Sequence, residues 1–179
     1  MKKLFLLPLL ILVAFSFHSC EDDDLNPLPE KVPGQYMILN IKNNRLEYTD
    51  IANTAFTGTL SNPSGDVVKY DLYVRRYTKE NFLTGDYVLL DTYTSFPMEL
   101  SITPQKIAST LGLSVSDLEV GEKYAFYAYS YNASGNRVSY SNLARIIQVT
   151  NPMNQGYRFV TDLAIVTPTS EAFDNHQDL

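Results

Sequence analysis

Short runs rich in Tyr, Val, Ile and Thr, with apolar and polar positions alternating, begin at residue 36 and recur to residue 149. A period of two sends successive side chains to opposite faces of a strand. The runs therefore predict strands at 36–41, 55–60, 67–77, 87–93, 98–102, 123–131 and 137–149, the last with an interruption. Turn chemistry separates them at Asn62-Pro63-Ser64-Gly65-Asp66, Thr84-Gly85-Asp86 and Ser134-Gly135-Asn136. One segment keeps a different period. Thr103 suits an N-cap, Pro104 suits the first helical turn, Ile107 and Leu111 fall one turn apart, and Gly112 offers a stop. A helix this short is marginal alone, so its expected place is over one end of a sandwich. The pattern predicts an all-β fold, an antiparallel β-sandwich with one short helical insertion, over residues 35–150.

The two ends lack this rhythm. Residues 20–34 combine acids with Pro27, Pro29, Pro33 and Gly34, the composition of an extended tether. Residues 151–179 form a C-terminal extension. Its apolar run at 157–166 either adds a strand or folds over the sheet, and the polar end from Thr167 is expected to be loose. At the start, Lys2 and Lys3 precede an apolar stretch at 4–17 that is interrupted by Pro8. A bilayer-spanning helix needs roughly 20 apolar residues, so this reads as a signal peptide over 1–19.

Ser19 precedes Cys20, the only cysteine in the chain. The junction resembles a bacterial lipobox, which implies cleavage before Cys20 and its acylation. Buried acyl chains contribute about 0.8 kcal/mol per CH₂, so multiple chains anchor stably. The acidic run Glu21, Asp22, Asp23 and Asp24 resembles the export signal of Bacteroidota-type surface lipoproteins. That resemblance implies an outer-membrane, lipid-anchored protein facing the cell exterior. As residues alone, the run is a solvated spacer, and both readings are compatible.

Composition excludes more than it assigns. A hydrophobic fraction of 45% excludes wholesale disorder. The formal net charge of −6 argues against nucleic acid as a partner. Removing Lys2 and Lys3 with the signal peptide leaves 12 of the 14 basic residues against 20 acidic ones, a net of −8. One Cys excludes a disulfide framework and a Cys-based zinc cluster. With only His18 and His176, the latter an expected tail residue, no His-based metal site or cofactor is implied. Asp22, Asp23 and Asp24 lack the Gly and terminal Glu of a calcium loop. Asp71, Asp91, Glu99, Asp117, Glu119 and Glu122 are the candidate acids for glycoside hydrolysis, which needs two carboxylates. None lies in a motif that fixes a pair across a cleft, so no enzyme is expected.

Leu118, Gly121 and Tyr124 stand in the spacing L-x-x-G-x-x-Y, followed by Phe126, Ala128, Ser130, Asn132 and Gly135. This resembles strand F and the following turn of a fibronectin type III or related immunoglobulin-like domain. Tyr70, Leu72 and Val74 similarly resemble its strand C. The resemblance implies that the Tyr124 hydroxyl pins the crossing loop as a tyrosine corner does. The family's usual strand-B tryptophan is absent, and Phe56 or Leu60 is expected to fill that volume. Together with the lipobox and acidic run, the layout resembles SusE-like accessory lipoproteins. That implies capture of polysaccharide beside an outer-membrane glycan importer, without cleavage. The competing class is a structural or protein-interaction module of an outer-membrane assembly that binds no glycan.

If Tyr124, Phe126 and Ala128 face the core, alternation sends Tyr127, Tyr129 and Tyr131 outward, and Tyr73 and Tyr77 with Arg75 beside them. Rings with polar tips suit stacking on sugars and also suit protein interfaces. Cross-strand aromatic pairs also stabilise a sheet by roughly 0.2–1 kcal/mol each without binding anything. The sequence is compatible with all three readings.

Overall fold

The computed structural model describes residues 34–149 and 154–165. The signal peptide assigned to 1–19, Cys20, the run Glu21, Asp22, Asp23 and Asp24, the tether as far as Pro33, the polar end and His176 lie outside the described residues. Among the described residues nine strands and two short α-helices follow one another. They are β1 (Ile38–Asn43), β2 (Arg45–Glu47), β3 (Phe56–Ser61), β4 (Val67–Tyr77), β5 (Leu83–Tyr93), β6 (Met98–Ile102), α1 (Pro104–Thr110), β7 (Lys123–Asn132), β8 (Arg137–Ser139), α2 (Arg145–Val149) and β9 (Arg158–Ala164).

The strands form two sheets. The smaller has the order β1-β3-β6, antiparallel throughout. The larger has the order β2-β9-β7-β4-β5, with only β2 and β9 parallel. One edge of β7 is shared. Its first half, Lys123 to Tyr127, pairs with β9, and Tyr129 to Tyr131 pair with β8. The architecture is mostly β, as the alternation predicts.

Alternation also decides what lies between the sheets. Phe56 and Leu60 of β3 and Leu100 and Ile102 of β6 meet Tyr70, Leu72 and Val74 of β4 and Tyr124, Phe126 and Ala128 of β7, all essentially fully buried. Phe126 stacks on Phe159 of β9 at 4.8 Å, and Phe56 reaches across from the other sheet to both, at 5.9 and 5.2 Å. Phe56 thus occupies the centre of the core, with buried Leu60 on the same strand. Gly58 between them is needed for close approach, since a Cβ there would lie 2.9 Å from the Asn40 carbonyl oxygen of β1. The helix forms as its pattern indicates. Thr103 Oγ1 accepts from Lys106 N at 3.2 Å, Pro104 opens α1, and Ile107 and Ala108 are buried under it.

Three segments differ from expectation. Thr84-Gly85-Asp86 is no turn, because β5 already begins at Leu83 and the reversal lies at 78–82, closed by Thr78 N donating to Phe82 O at 2.9 Å. Gly85, at φ +64, instead sits in a bulge where the β4 register jumps between Val74 and Arg76. The strand expected over 137–149 stops at Ser139. There Asn142 Oδ1 accepts from Ser139 N at 2.9 Å and starts a helical turn, and the Gln148 amide then binds the Tyr140 and Leu143 carbonyls at 3.0 and 2.9 Å. Finally, part of the segment expected to lie beyond the sandwich is inside it. Arg158–Ala164 forms β9, hydrogen-bonded between β2 and β7.

Candidate functional site

The outer face of the larger sheet follows from the β4/β7 register. Tyr73 stands opposite Tyr127, Asp71 opposite Tyr129, Lys69 opposite Tyr131, Arg75 opposite Ala125 and Tyr77 opposite Lys123. The inner partners on the same two strands are Leu72 with Ala128 and Val74 with Phe126. All five tyrosines singled out by alternation, Tyr73, Tyr77, Tyr127, Tyr129 and Tyr131, are half-buried and belong to the outward set.

Three of them touch directly. Tyr129 meets Tyr73 edge-on at 5.7 Å and Tyr127 at 5.4 Å, with ring planes 89° and 67° apart. Tyr127 in turn meets Tyr87 of β5 at 5.8 Å. This differs from a flat row of parallel rings spaced along one strand. The aromatic quadrupole favours edge-to-face contacts, so neighbouring rings tilt into each other. Tyr131 is separate from the row, its ring under Lys69 Nζ at 4.1 Å. Tyr77 lies within electrostatic reach of Tyr87 at the other end.

Charge is threaded through the rings. Lys69 Nζ donates to Asp71 Oδ2 at 2.8 Å, and Thr92 Oγ1 donates to Asp71 Oδ1 at 2.7 Å. Burial alone would raise the Asp71 carboxyl, but Lys69 and Thr92 outweigh it and hold it below the ordinary value. Burial, with the Asp71 charge adding to it, raises the Tyr73 phenol. Arg137 lies over the Tyr129 ring at 4.6 Å and Arg75 over the Tyr87 ring at 5.6 Å. Arg158 stands opposite Tyr127 in the β9 register and covers Tyr140 at 5.3 Å.

Tyr87, Lys69, Arg137 and Arg158 belong to this surface as well, though alternation did not single them out. Lys69 was legible, since it shares parity with Tyr73. Arg137 and Arg158 were not, because neither the short β8 nor the β9 pairing was expected.

The candidate acids are engaged elsewhere. Asp91 pairs with Lys106, Glu99 with Lys42, Glu119 with Lys79 and Glu122 with Arg76, while Asp117 accepts from Ser114 N at 2.8 Å. The Tyr124 hydroxyl donates to Glu122 Oε2 at 2.7 Å, so it binds a side chain where a tyrosine corner would bind loop backbone. Arg76 Nη2 completes the pin by reaching the Asp117 carbonyl at 3.2 Å. Among the described residues no group of three His, Cys, Asp or Glu side chains is placed to hold a metal ion. No helix among them is long and apolar enough to cross a membrane. No family model, curated protein or solved structure matches the chain.

Proposed function

We propose that the chain is a SusE-like surface lipoprotein, anchored through acylated Cys20, which captures polysaccharide for an outer-membrane glycan importer and does not cleave it. The observation that carries the reading is the connected set of outward rings Tyr73, Tyr129, Tyr127 and Tyr87 on a rigid sheet. Aromatic rings with hydroxyl tips stack on sugar faces and hydrogen-bond their rims. The strand order supports a fibronectin type III-like assignment. The sheet β1-β3-β6 faces β5-β4-β7-β9, a three-on-four arrangement with Tyr124 on the sixth of those seven strands. Non-enzymatic action is supported by the acids. Asp71, Asp91, Glu99 and Asp117 all titrate below their ordinary values, whereas a general acid at neutral pH needs a raised one.

A specific observation favours the competing reading, a protein-interaction module. The sheet edge β5 leaves Leu83, Val88 and Leu89 40–48% exposed, with Phe82 beside it at 70%. An exposed, apolar edge strand is where another chain adds a strand.

Two variants separate the readings. Tyr127→Ala with Tyr129→Ala should abolish retention on insoluble polysaccharide and lower the thermal midpoint only modestly, with unfolding still cooperative. Loss of a co-purifying membrane protein, with wild type retained on no glycan, would establish the interaction module instead. Cys20→Ala should move the protein from the membrane fraction to the soluble one, and unchanged partitioning would remove the anchor from the proposal.

A further inference from the structure

The arginines of the tyrosine face lack ion-pair partners among the described residues. Elsewhere on the domain Lys42, Arg76, Lys79 and Lys106 each pair with a carboxylate, while Arg45 and Arg145 have no ion pair among the described residues. On the face, Lys69 is matched by Asp71, and Lys123 stands opposite Asp162 in the β7/β9 register. Arg75, Arg137 and Arg158 have no ion pair among the described residues, and their guanidinium groups lie on the rings of Tyr87, Tyr129 and Tyr140. Arg75 Nε is buried and without a hydrogen-bond partner among those residues. Arg75 lies over Tyr87, and Arg158 stands opposite Tyr127, which Tyr87 touches, so both lie around one end of the ring cluster.

A chain of formal charge −6 therefore carries a face with three guanidinium groups that no carboxylate among the described residues matches. An arginine stacked on an aromatic ring keeps its charge and its in-plane N–H donors, and those donors match the two oxygens of a carboxylate or sulfate. The same stacking covers one side of the Tyr129 and Tyr87 rings and so reduces the open ring area that a neutral sugar needs. A sugar bearing an acid group meets both elements: its ring edges contact the tyrosines and its charge meets the arginines.

We infer that the face takes an acidic polysaccharide, one whose sugars carry carboxylate or sulfate groups. This rests on the reading that the ligand is a glycan. Charge complementarity selects the acidic class.

The test is affinity electrophoresis of the full chain in gels containing polygalacturonate, its methyl ester, dextran sulfate or dextran. Retardation is expected in one or both acidic polymers and not in the neutral counterparts, and it should weaken as salt is added. The polygalacturonate and dextran sulfate lanes tell carboxylate from sulfate. Arg75→Gln, Arg137→Gln and Arg158→Gln should each reduce the retardation severalfold at an unchanged melting midpoint, and Arg137→Lys should recover part of it. Equal retardation by neutral and acidic polymers would overturn the acidic assignment and leave glycan capture standing. Competition by polyglutamate at equal charge would overturn it in favour of an acidic protein partner. Retardation in no gel, with the arginine variants less stable than wild type, would mean that the chain itself covers the face, and glycan capture would fall with it.

Discussion

The two faces of β4 and β7 use tyrosine in opposite ways. On the inner face every hydroxyl has a protein partner. Tyr70 donates to the Gly156 carbonyl, Tyr124 to Glu122, and Tyr157 lies 2.9 Å from Ser130 Oγ and 3.2 Å from the Gln35 carbonyl. Burial pushes the Tyr157 phenol up to about 12 and Tyr70 well above its ordinary value. On the outer face the rings hold one another edge-on and carry cations, while solvent still reaches them. The same residue type is thus a polar rivet inside, where an unpaired hydroxyl is costly, and an open aromatic surface outside. Inner tyrosines are committed to the fold, and outer ones stay half-buried and in reach of solvent.

Truncation of the core should give the largest contrast. Phe126→Ala removes the ring that stacks on Phe159 and meets Phe56 at a tilt, and should cost about 3–5 kcal/mol in denaturant melts. Its neighbour Tyr127, changed to Ala, should cost about 1 kcal/mol or less. Comparable losses at both positions would erase the distinction between the faces.

Removing a single hydroxyl should have a middling effect. Tyr124→Phe keeps the ring but takes the donor from buried Glu122, and should cost about 1–3 kcal/mol. Tyr129→Phe on the outer face should leave the melt unchanged. A silent Tyr124→Phe would mean that Arg76 alone satisfies the carboxylate.

The smallest effect concerns Asp71, beneath the outer tyrosines. Its folded carboxyl titrates below the ordinary value of 3.8, so its contribution to stability is complete above that value and disappears as pH falls through the lower folded one. Lys69 is 42% exposed, so solvent screens the pair and the contribution is modest. Thermal midpoints from neutral pH down to about 2 should fall less steeply in Asp71→Asn than in wild type over the acid limb. Parallel curves would show that the pair contributes nothing measurable.

Alternation alone located β4 and β6 residue for residue, because both strands bury one face more deeply than the other. It also divided Tyr127 and Tyr129 from Phe126 and Ala128 correctly. It misread Gly85, since a left-handed glycine serves a turn and a bulge equally well. It overran Ser139, although Ser139 and Asn142, three residues apart, are an N-terminal helix signature readable in advance. The place of β9 was illegible for another reason. Its partners Arg45–Glu47 and Lys123–Tyr127 are remote, and an apolar run of that length does not say what it pairs with. With β8 and β9 unplaced, Arg137 and Arg158 had no face, and of the three arginines on the tyrosine surface only Arg75 was visible from sequence.

Gln35 has a mechanical consequence. Its side chain donates to the Asn136 carbonyl at 2.7 Å and accepts from Ser130 at 2.9 Å, and its backbone carbonyl lies beside the Tyr157 hydroxyl. A chain held at its N-terminal end and loaded by a long polymer on its outer face would deliver tension at this residue first. The load would pass directly into β7, the strand that carries Tyr127 and Tyr129, without first peeling β1 from β3. Between Ser130 and the rings the load would run along the covalent backbone of one strand, so the bonds that Gln35 makes to Asn136 and Ser130 would be the first non-covalent links to bear it. Under sustained pull the lifetime of that link would be set by the rate at which those bonds open and not by the equilibrium stability of the domain.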